Sequence, residues 1–76
     1  MKTATRRQPH RRAVHLTDRE REVVRQVVRG RTSREIADHL GCHLKTVESH
    51  RSNIFRKLGI GKAALLVRWA LEEGLA

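Results

Sequence analysis

Cysteine is almost absent from this sequence: Cys42 is the only one among 76 residues, so an internal disulfide cannot form. An N-terminal secretory segment with an apolar core is also absent. Both absences favour a reducing cytoplasm as the location. No run approaches the roughly 18 apolar residues of a membrane span. The basic residues do not lie opposite one continuous apolar face, which argues against a membrane-surface helix.

Aromatic and acidic residues are also scarce. Phe55 and Trp69 are the only aromatic residues, and there is no tyrosine. Because single-strand binders stack bases on aromatic side chains, this composition favours a duplex over a single strand. The 8 Asp and Glu are outnumbered by 17 Lys and Arg, which gives a formal net charge of +9. This imbalance indicates a polyanionic partner.

The length allows one small domain preceded by a basic segment. A chain of this size buries only about 60% of the surface that its unfolded form exposes, so a single compact core is the upper limit. Residues 1–15 hold five Lys or Arg, no acidic residue, the only proline and no apolar periodicity. We predict that they form a disordered basic arm. A flexible interdomain linker explains the same composition equally well.

Two capping boxes mark the beginning of the first two predicted helices. In a capping box, a Thr side chain and a Glu three residues later each accept a backbone N–H of the other. Thr17 and Glu20 open a helix predicted for Asp18 to Arg29, and Thr32 and Glu35 open a shorter second helix. A third apolar pattern covers Leu44 to Leu58 and a fourth covers residues 62–73. No strand pattern is visible, so the predicted fold class is all-α, with the domain at residues 16–76.

The spacing of Ala37, Gly41 and Val47 predicts a helix-turn-helix, with its core at residues 33–57. Two helices that cross steeply need a small residue where their backbones approach, a glycine in the tight turn and an apolar residue that fixes the second helix. These three residues supply those features in that order.

The third helix has one apolar face and one polar face. At about 100° per residue, Val47, Ile54 and Leu58 share a side. The opposite side presents Lys45, Ser49, Ser52 and Arg56, flanked by Thr46, Glu48 and Asn53. Hydroxyl and amide groups can bind base edges or phosphates, and Lys45, Arg56 and Lys57 add positive charge. The pattern predicts a surface that enters a groove of duplex DNA.

Three segments together resemble a known family: LTDREREVV, GRTSREIADHLGCHLKTVESHRSNIFRKLGI and LLVRWALEEGL. They are similar to the LuxR-type, or GerE-type, helix-turn-helix domain of bacterial transcription regulators, which includes the output domains of NarL- and FixJ-like response regulators. The resemblance covers Leu16 to Leu75. It implies a four-helix domain whose third helix enters the major groove, with regulation of transcription as the output. No enzymatic activity or cofactor is expected, because Ser49 and His50 point in different directions, no carboxylate orients the imidazole and no glycine-rich phosphate loop is visible.

The resemblance also implies roles for individual residues. The positions that reach bases correspond to Lys45, Glu48, Ser49 and Ser52. The DNA backbone contacts correspond to Thr46, Asn53 and Lys57, and to Thr32, Ser33 and Arg34 at the start of the second helix. We add Arg56 to the backbone contacts because of its place in the polar stripe. Cys42 replaces the usual Ile or Val, His43 replaces the Ser that usually caps the third helix, and Ala63 replaces a common polar residue.

The fourth helix is the predicted site of pairing. Its core-facing stripe is predicted to contain Ala63, Leu66, Val67 and Ala70. Leu65 and Trp69 lie on a different face, and related domains pair through this helix. We therefore expect a weak homodimer, strengthened on DNA that carries two half-sites. Alternatively, Trp69 folds over the first helix and completes the core.

Other functions fit the sequence less well. His39, Cys42, His43 and His50 offer zinc-ligand chemistry, but no second ligand cluster accompanies them. Two alternatives stay open: a protein-interaction module that contacts a sigma factor or another regulator, and a nonspecific nucleoid or RNA binder. RNA polymerase is a further candidate partner. The chain is either a self-contained regulator or the output domain of a longer protein.

Overall fold

A computed structural model describes residues 15–75, and these contain four helices and no strand. The helices are α1 (Asp18–Val28), α2 (Ser33–Leu40), α3 (Leu44–Leu58) and α4 (Ala63–Glu73). The predicted all-α class is therefore confirmed. Apart from His15, the predicted basic arm lies outside the described residues. No helix of the described part is long and apolar enough to cross a membrane.

Both predicted capping boxes are present. Thr17 Oγ1 accepts the Glu20 amide at 3.1 Å, and the Thr17 amide donates to Glu20 Oε1 at 2.9 Å. At the start of α2, Thr32 and Glu35 make the same two bonds at 3.1 and 2.8 Å. Each box satisfies two backbone donors that a helix N-terminus otherwise leaves without partners.

Gly41 forms the turn of the helix-turn-helix in the way that the sequence predicts. It has φ +70°, in the left-handed region that side chains with a Cβ disfavour. The Cys42 amide then donates to the Ala37 carbonyl at 3.0 Å, which closes the end of α2. The chain can consequently turn within the three residues 41–43 and begin α3 at Leu44.

The core lies where α1 meets the other three helices. Its largest fully buried apolar side chains are Val23, Val24, Ile36, Val47, Ile54 and Leu66. The predicted inward side of α3 is confirmed, since Val47, Ile54 and Leu58 are all buried. Four valines in α1 give it little intrinsic helicity, so its stability depends on this packing.

The predictions for the helix ends and for α4 need correction. Arg29 caps α1 instead of belonging to it, and α4 begins at Ala63 with Lys62 as its N-cap, so the fourth helix is 63–73 and not 62–73. Ala63 is exposed and Val67 is half-buried. Burial in α4 begins one turn later, with Leu66 and Ala70, because Ala63 is the first residue of the helix.

Candidate nucleic-acid interface

The outward face of α3 collects the four predicted base-contacting residues. A shallow depression is lined by Lys45, Glu48, Ser49, Ser52 and Asn53. The first four are exposed and Asn53 is half-buried. They lie together because the apolar residues of α3 turn toward the core, which fixes the opposite side toward solvent. The depression offers two hydroxyls, an amide, an ammonium and a carboxylate.

Asn53 and Arg56 are joined on this face. Arg56 Nη2 donates to Asn53 Oδ1 at 2.8 Å. This bond uses only the amide oxygen of Asn53, so both N–H donors of its NH₂ group can still bind a partner. Thr46 is exposed on the same flank of α3. Asn53 thus presents donor groups within the depression, and Arg56 and Thr46 present them beside it.

Lys57 has an internal partner that the sequence did not reveal. Its Nζ donates to Glu20 Oε1 at 2.7 Å and to the His15 carbonyl at 3.1 Å. Glu20 is buried, with 4% of its surface exposed. The capping-box pattern in the sequence identifies Glu20 only as a capping residue. Its helical spacing from Val23, Val24 and Val27 places it on the buried side of α1, and that spacing was the signal that could have identified it.

The pKa of Glu20 reflects this environment. Burial raises the pKa of the carboxyl, but the hydrogen bonds from Lys57 and from Thr17, together with the Lys57 charge, outweigh burial. The net pKa is lower than its ordinary value. Glu20 therefore carries its negative charge next to the Lys57 ammonium at neutral pH.

The start of α2 lies outside the depression, on a helix that packs against α3. Thr32 already accepts a capping bond, so its hydroxyl is engaged. Ser33 and Arg34 begin the helix, where backbone N–H groups lack intrahelical acceptors and favour an anion. Arg34 is exposed and adds a positive charge.

A buried amide fixes the connection that leads to α2. Gln26 is 1% exposed, and its Nε2 donates to Glu22 Oε2 at 2.9 Å. Its Oε1 accepts a bond from Arg31 Nη1, while the Arg31 amide donates to the Gln26 carbonyl at 3.2 Å. Arg31 directly precedes Thr32, so this network orients the beginning of α2. No sequence pattern had identified Gln26 as a structural residue.

The start of α3 lacks a side-chain cap. His43 is the N-cap residue, with φ −78° and ψ 150°, and its side chain makes no capping hydrogen bond. This agrees with the replacement of the usual Ser by His43. Cys42 is half-buried against the core. Among residues 15–75, no three His, Cys, Asp or Glu side chains form a group that could hold a metal ion.

The structure modifies the expected pairing surface on α4. Leu65 is 42% exposed, as predicted, but Trp69 is half-buried and packs against the core. Leu71, which the sequence analysis missed, is 62% exposed. Arg68 Nε lies 3.9 Å from Oε2 of Glu72, four residues further along, and both side chains are exposed. Trp69 thus packs into the core with part of its surface. The part that stays exposed can contact another molecule together with Leu65.

These features together define a class of protein. A basic chain carries a helix-turn-helix, and the second helix of this motif presents polar side chains outward. This is the arrangement with which helix-turn-helix domains contact nucleic acid.

Comparison with known proteins identifies the family. The family described as "Bacterial regulatory proteins, luxR family" matches residues 14–70, so the chain belongs to this family. It is 47% identical over 60 residues to the transcriptional regulatory protein MctR of Rhizobium johnstonii, covering 79% of this chain and 28% of MctR. It is 42% identical over 60 residues to the uncharacterized response regulatory protein YgeK of Escherichia coli, covering 79% of this chain and 41% of YgeK.

A third relative is the transcriptional regulatory protein UhpA of Escherichia coli, which is 43% identical over 53 residues. The match covers 70% of this chain and 27% of UhpA. The chain therefore spans less than half the length of each of these three relatives.

Proposed function

We propose that this chain binds double-stranded DNA sequence-specifically and regulates transcription, with α3 inserted in the major groove. The observation that carries the proposal is the depression on α3, where Lys45, Glu48, Ser49 and Ser52 lie together opposite a fully apolar side. The major groove is about 12 Å wide and admits one α-helix. Because these four residues share one side of α3, the helix can present all of them to base edges at the same time.

The proposed base contacts differ in chemistry. Ser49 and Ser52 can donate to or accept from a base edge, and Lys45 can donate to guanine. Glu48 forms no salt bridge with another described residue. Because a carboxylate near phosphates is repelled unless it accepts a hydrogen bond, we assign Glu48 to the exocyclic amine of cytosine.

The remaining site residues are proposed to hold the DNA backbone. They are Thr46, Asn53, Arg56 and Lys57 on α3 and Thr32, Ser33 and Arg34 at the start of α2. Phosphate contacts fix the orientation of the domain but read no sequence. They also make binding salt-dependent, because each neutralised phosphate releases counterions.

Two copies are proposed to pair through α4 on half-sites about 34 Å apart, one helical turn of DNA. Leu65 and the exposed edge of Trp69 form the proposed contact. The output requires contact with the transcription machinery, for which RNA polymerase is the candidate. This function places the protein in the bacterial cytoplasm, at the nucleoid.

Selection from a pool of randomised duplexes tests the proposal. We expect one sequence to be enriched and to bind at least about 1,000-fold more tightly than its scrambled duplex, the lower end of typical specificity ratios. Equal binding to selected duplex, scrambled duplex and RNA would instead support the nonspecific binder. Failure to bind any nucleic acid would support the protein-interaction module.

The assignment of the base contacts is tested on the selected duplex. A Ser49→Ala, Ser52→Ala double variant should lose discrimination against substituted base pairs. Ser33→Ala is the matched control, because it removes a hydroxyl from a proposed phosphate contact and should weaken all duplexes alike. Unchanged discrimination in the double variant would exclude the two serines as base contacts.

A further inference from the structure

Lys57 lies on the flank of α3 that is proposed to face the DNA backbone. At about 100° per residue, Thr46, Asn53 and Lys57 fall within roughly 40° of one another around the helix. The Lys57 side chain is 34% exposed. Its position therefore allows the ammonium group to reach a phosphate that Thr46 and Asn53 also approach.

The Lys57 ammonium group already forms two hydrogen bonds within the protein. An ammonium has three N–H donors. Lys57 uses two of them, for Glu20 Oε1 at 2.7 Å and the His15 carbonyl at 3.1 Å. One donor remains for a phosphate oxygen, and the two internal bonds restrict its direction.

We do not expect DNA binding to separate Glu20 from Lys57. The Glu20 carboxylate also accepts the Thr17 amide at 2.9 Å as part of the capping box of α1, and only 4% of the Glu20 surface is exposed. Releasing Lys57 would leave a buried carboxylate without its cation, which is strongly unfavourable. We therefore expect the Glu20–Lys57 pair to persist in the complex with DNA.

We propose that Glu20 is a positioning residue for DNA binding, and that Glu20 and Lys57 act as one electrically balanced donor to a phosphate. This inference rests on the proposed function. Lys57 then contributes an oriented hydrogen bond, whereas its charge is balanced within the protein. An ordinary cation contributes about 0.9 to the slope of log K against log salt concentration for each phosphate that it neutralises. The balanced pair contributes nearly nothing to this slope.

The slope is measured with the full chain and a mixed-sequence duplex of about 30 base pairs, long enough for two half-sites. Arg34→Met is the reference, because Arg34 is an exposed residue among the proposed phosphate contacts, and it should reduce the magnitude of the slope by about 0.9. Glu20→Gln should increase the magnitude by about 0.9, because the Lys57 charge is no longer balanced. Gln keeps the capping box, so α1 should still form.

The double variant Glu20→Gln, Lys57→Met replaces the pair by two neutral side chains. It should bind about tenfold more weakly, the loss expected for one hydrogen bond to a charged group, with the wild-type slope. Helical circular dichroism and cooperative thermal unfolding confirm that each variant is folded.

Three results would each overturn the inference while leaving the proposed function intact. The first is a slope in Glu20→Gln equal to that of the wild type. The second is a double variant that loses as much slope as Arg34→Met, and the third is a double variant that binds as tightly as the wild type. Absence of duplex binding by the wild type overturns the proposed function itself, and the inference with it.

Discussion

At the residue scale, Glu20 shows how one buried side chain can serve two structural roles. A buried carboxylate is costly unless hydrogen bonds and a cation compensate for lost hydration. Glu20 receives the amide of Thr17 and the ammonium of Lys57. The same oxygen, Oε1, therefore begins α1 and attaches the C-terminal half of α3 to it.

This arrangement predicts a pH dependence of stability. The folded-state pKa of Glu20 lies below the ordinary value of 4.5. Its stabilising contribution is thus complete above pH 4.5 and is lost as the pH falls through the lower folded pKa. At pH 7, we expect Glu20→Gln to lower the free energy of unfolding by about 1–2 kcal/mol.

Urea unfolding of wild type and variant from pH 7 to pH 3 measures the effect. The pKa of Glu22 is also lowered, chiefly by its hydrogen bond from Gln26, and both proteins share that contribution. The difference between them should therefore narrow only as Glu20 protonates. A difference that widens on acidification would contradict the assigned direction of the pKa shift.

The uncapped start of α3 leads to a second prediction at this scale. His43 has the backbone conformation of an N-cap but makes no side-chain capping bond. His43→Ser should raise the free energy of unfolding by about 0.5–1 kcal/mol, because a serine hydroxyl can accept an amide of the first turn. His43→Ala is the control and should bring no such gain. Equal urea midpoints for the Ser and Ala variants would refute the capping argument.

At the element scale, local chemistry accounts for what could be predicted. The two capping boxes located the starts of α1 and α2, and the 3.6-residue period identified the buried side of α3. Both signals operate within a few residues of sequence. The outward face of α3, and with it the residues of the depression, follows directly from that period.

Contacts between distant residues could not be predicted in the same way. Glu20 and Lys57 are separated by 37 residues, and no local pattern relates them. Ala63 has the right period for the core stripe, but period does not tell where along α4 the packing begins. The half-burial of Trp69 likewise depends on tertiary packing.

The turn between α2 and α3 provides the prediction for this scale. Gly41 has φ +70°, and a Cβ built there would meet nothing within 4 Å. Gly41→Ala should therefore destabilise the fold by about 1–2 kcal/mol through backbone strain alone. Gly61 also has open space around it, but its φ lies outside the left-handed region.

Gly61→Ala is consequently the matched control, and it should leave stability unchanged or slightly raise it. Urea unfolding of both variants gives the comparison. Equal stabilities for the two alanine variants would show that the left-handed conformation of Gly41 carries no cost in this turn.

At the scale of the whole molecule, α1 supports the two helices that carry the proposed DNA-contacting and pairing surfaces. It packs against α2, α3 and α4. The proposed groove-contacting face belongs to α3, and the proposed pairing face belongs to α4. Because both helices pack against α1, the position of one copy in the proposed DNA complex would determine where it presents α4 to a second copy.

The last prediction concerns this pairing. Leu65 and Leu71 are both exposed on α4, and at about 100° per residue they lie roughly 120° apart, with Arg68 between them. Only Leu65 adjoins Trp69. Because Trp69 packs against the core, replacing it would combine a folding defect with a pairing defect. Leu65→Glu is the cleaner change, and Leu71→Glu is a matched control on the other edge.

We expect Leu65→Glu to reduce cooperativity on a two-half-site duplex about tenfold, equivalent to 1.4 kcal/mol, and to spare binding to one half-site. Leu71→Glu should preserve cooperativity. The patch is small, so sedimentation should show a monomer without DNA. Trp69 emission should shift to the blue when two copies bind together, as its exposed edge is covered. Wild-type cooperativity in Leu65→Glu, or its loss in Leu71→Glu alone, would show that pairing does not use the Leu65 edge of α4.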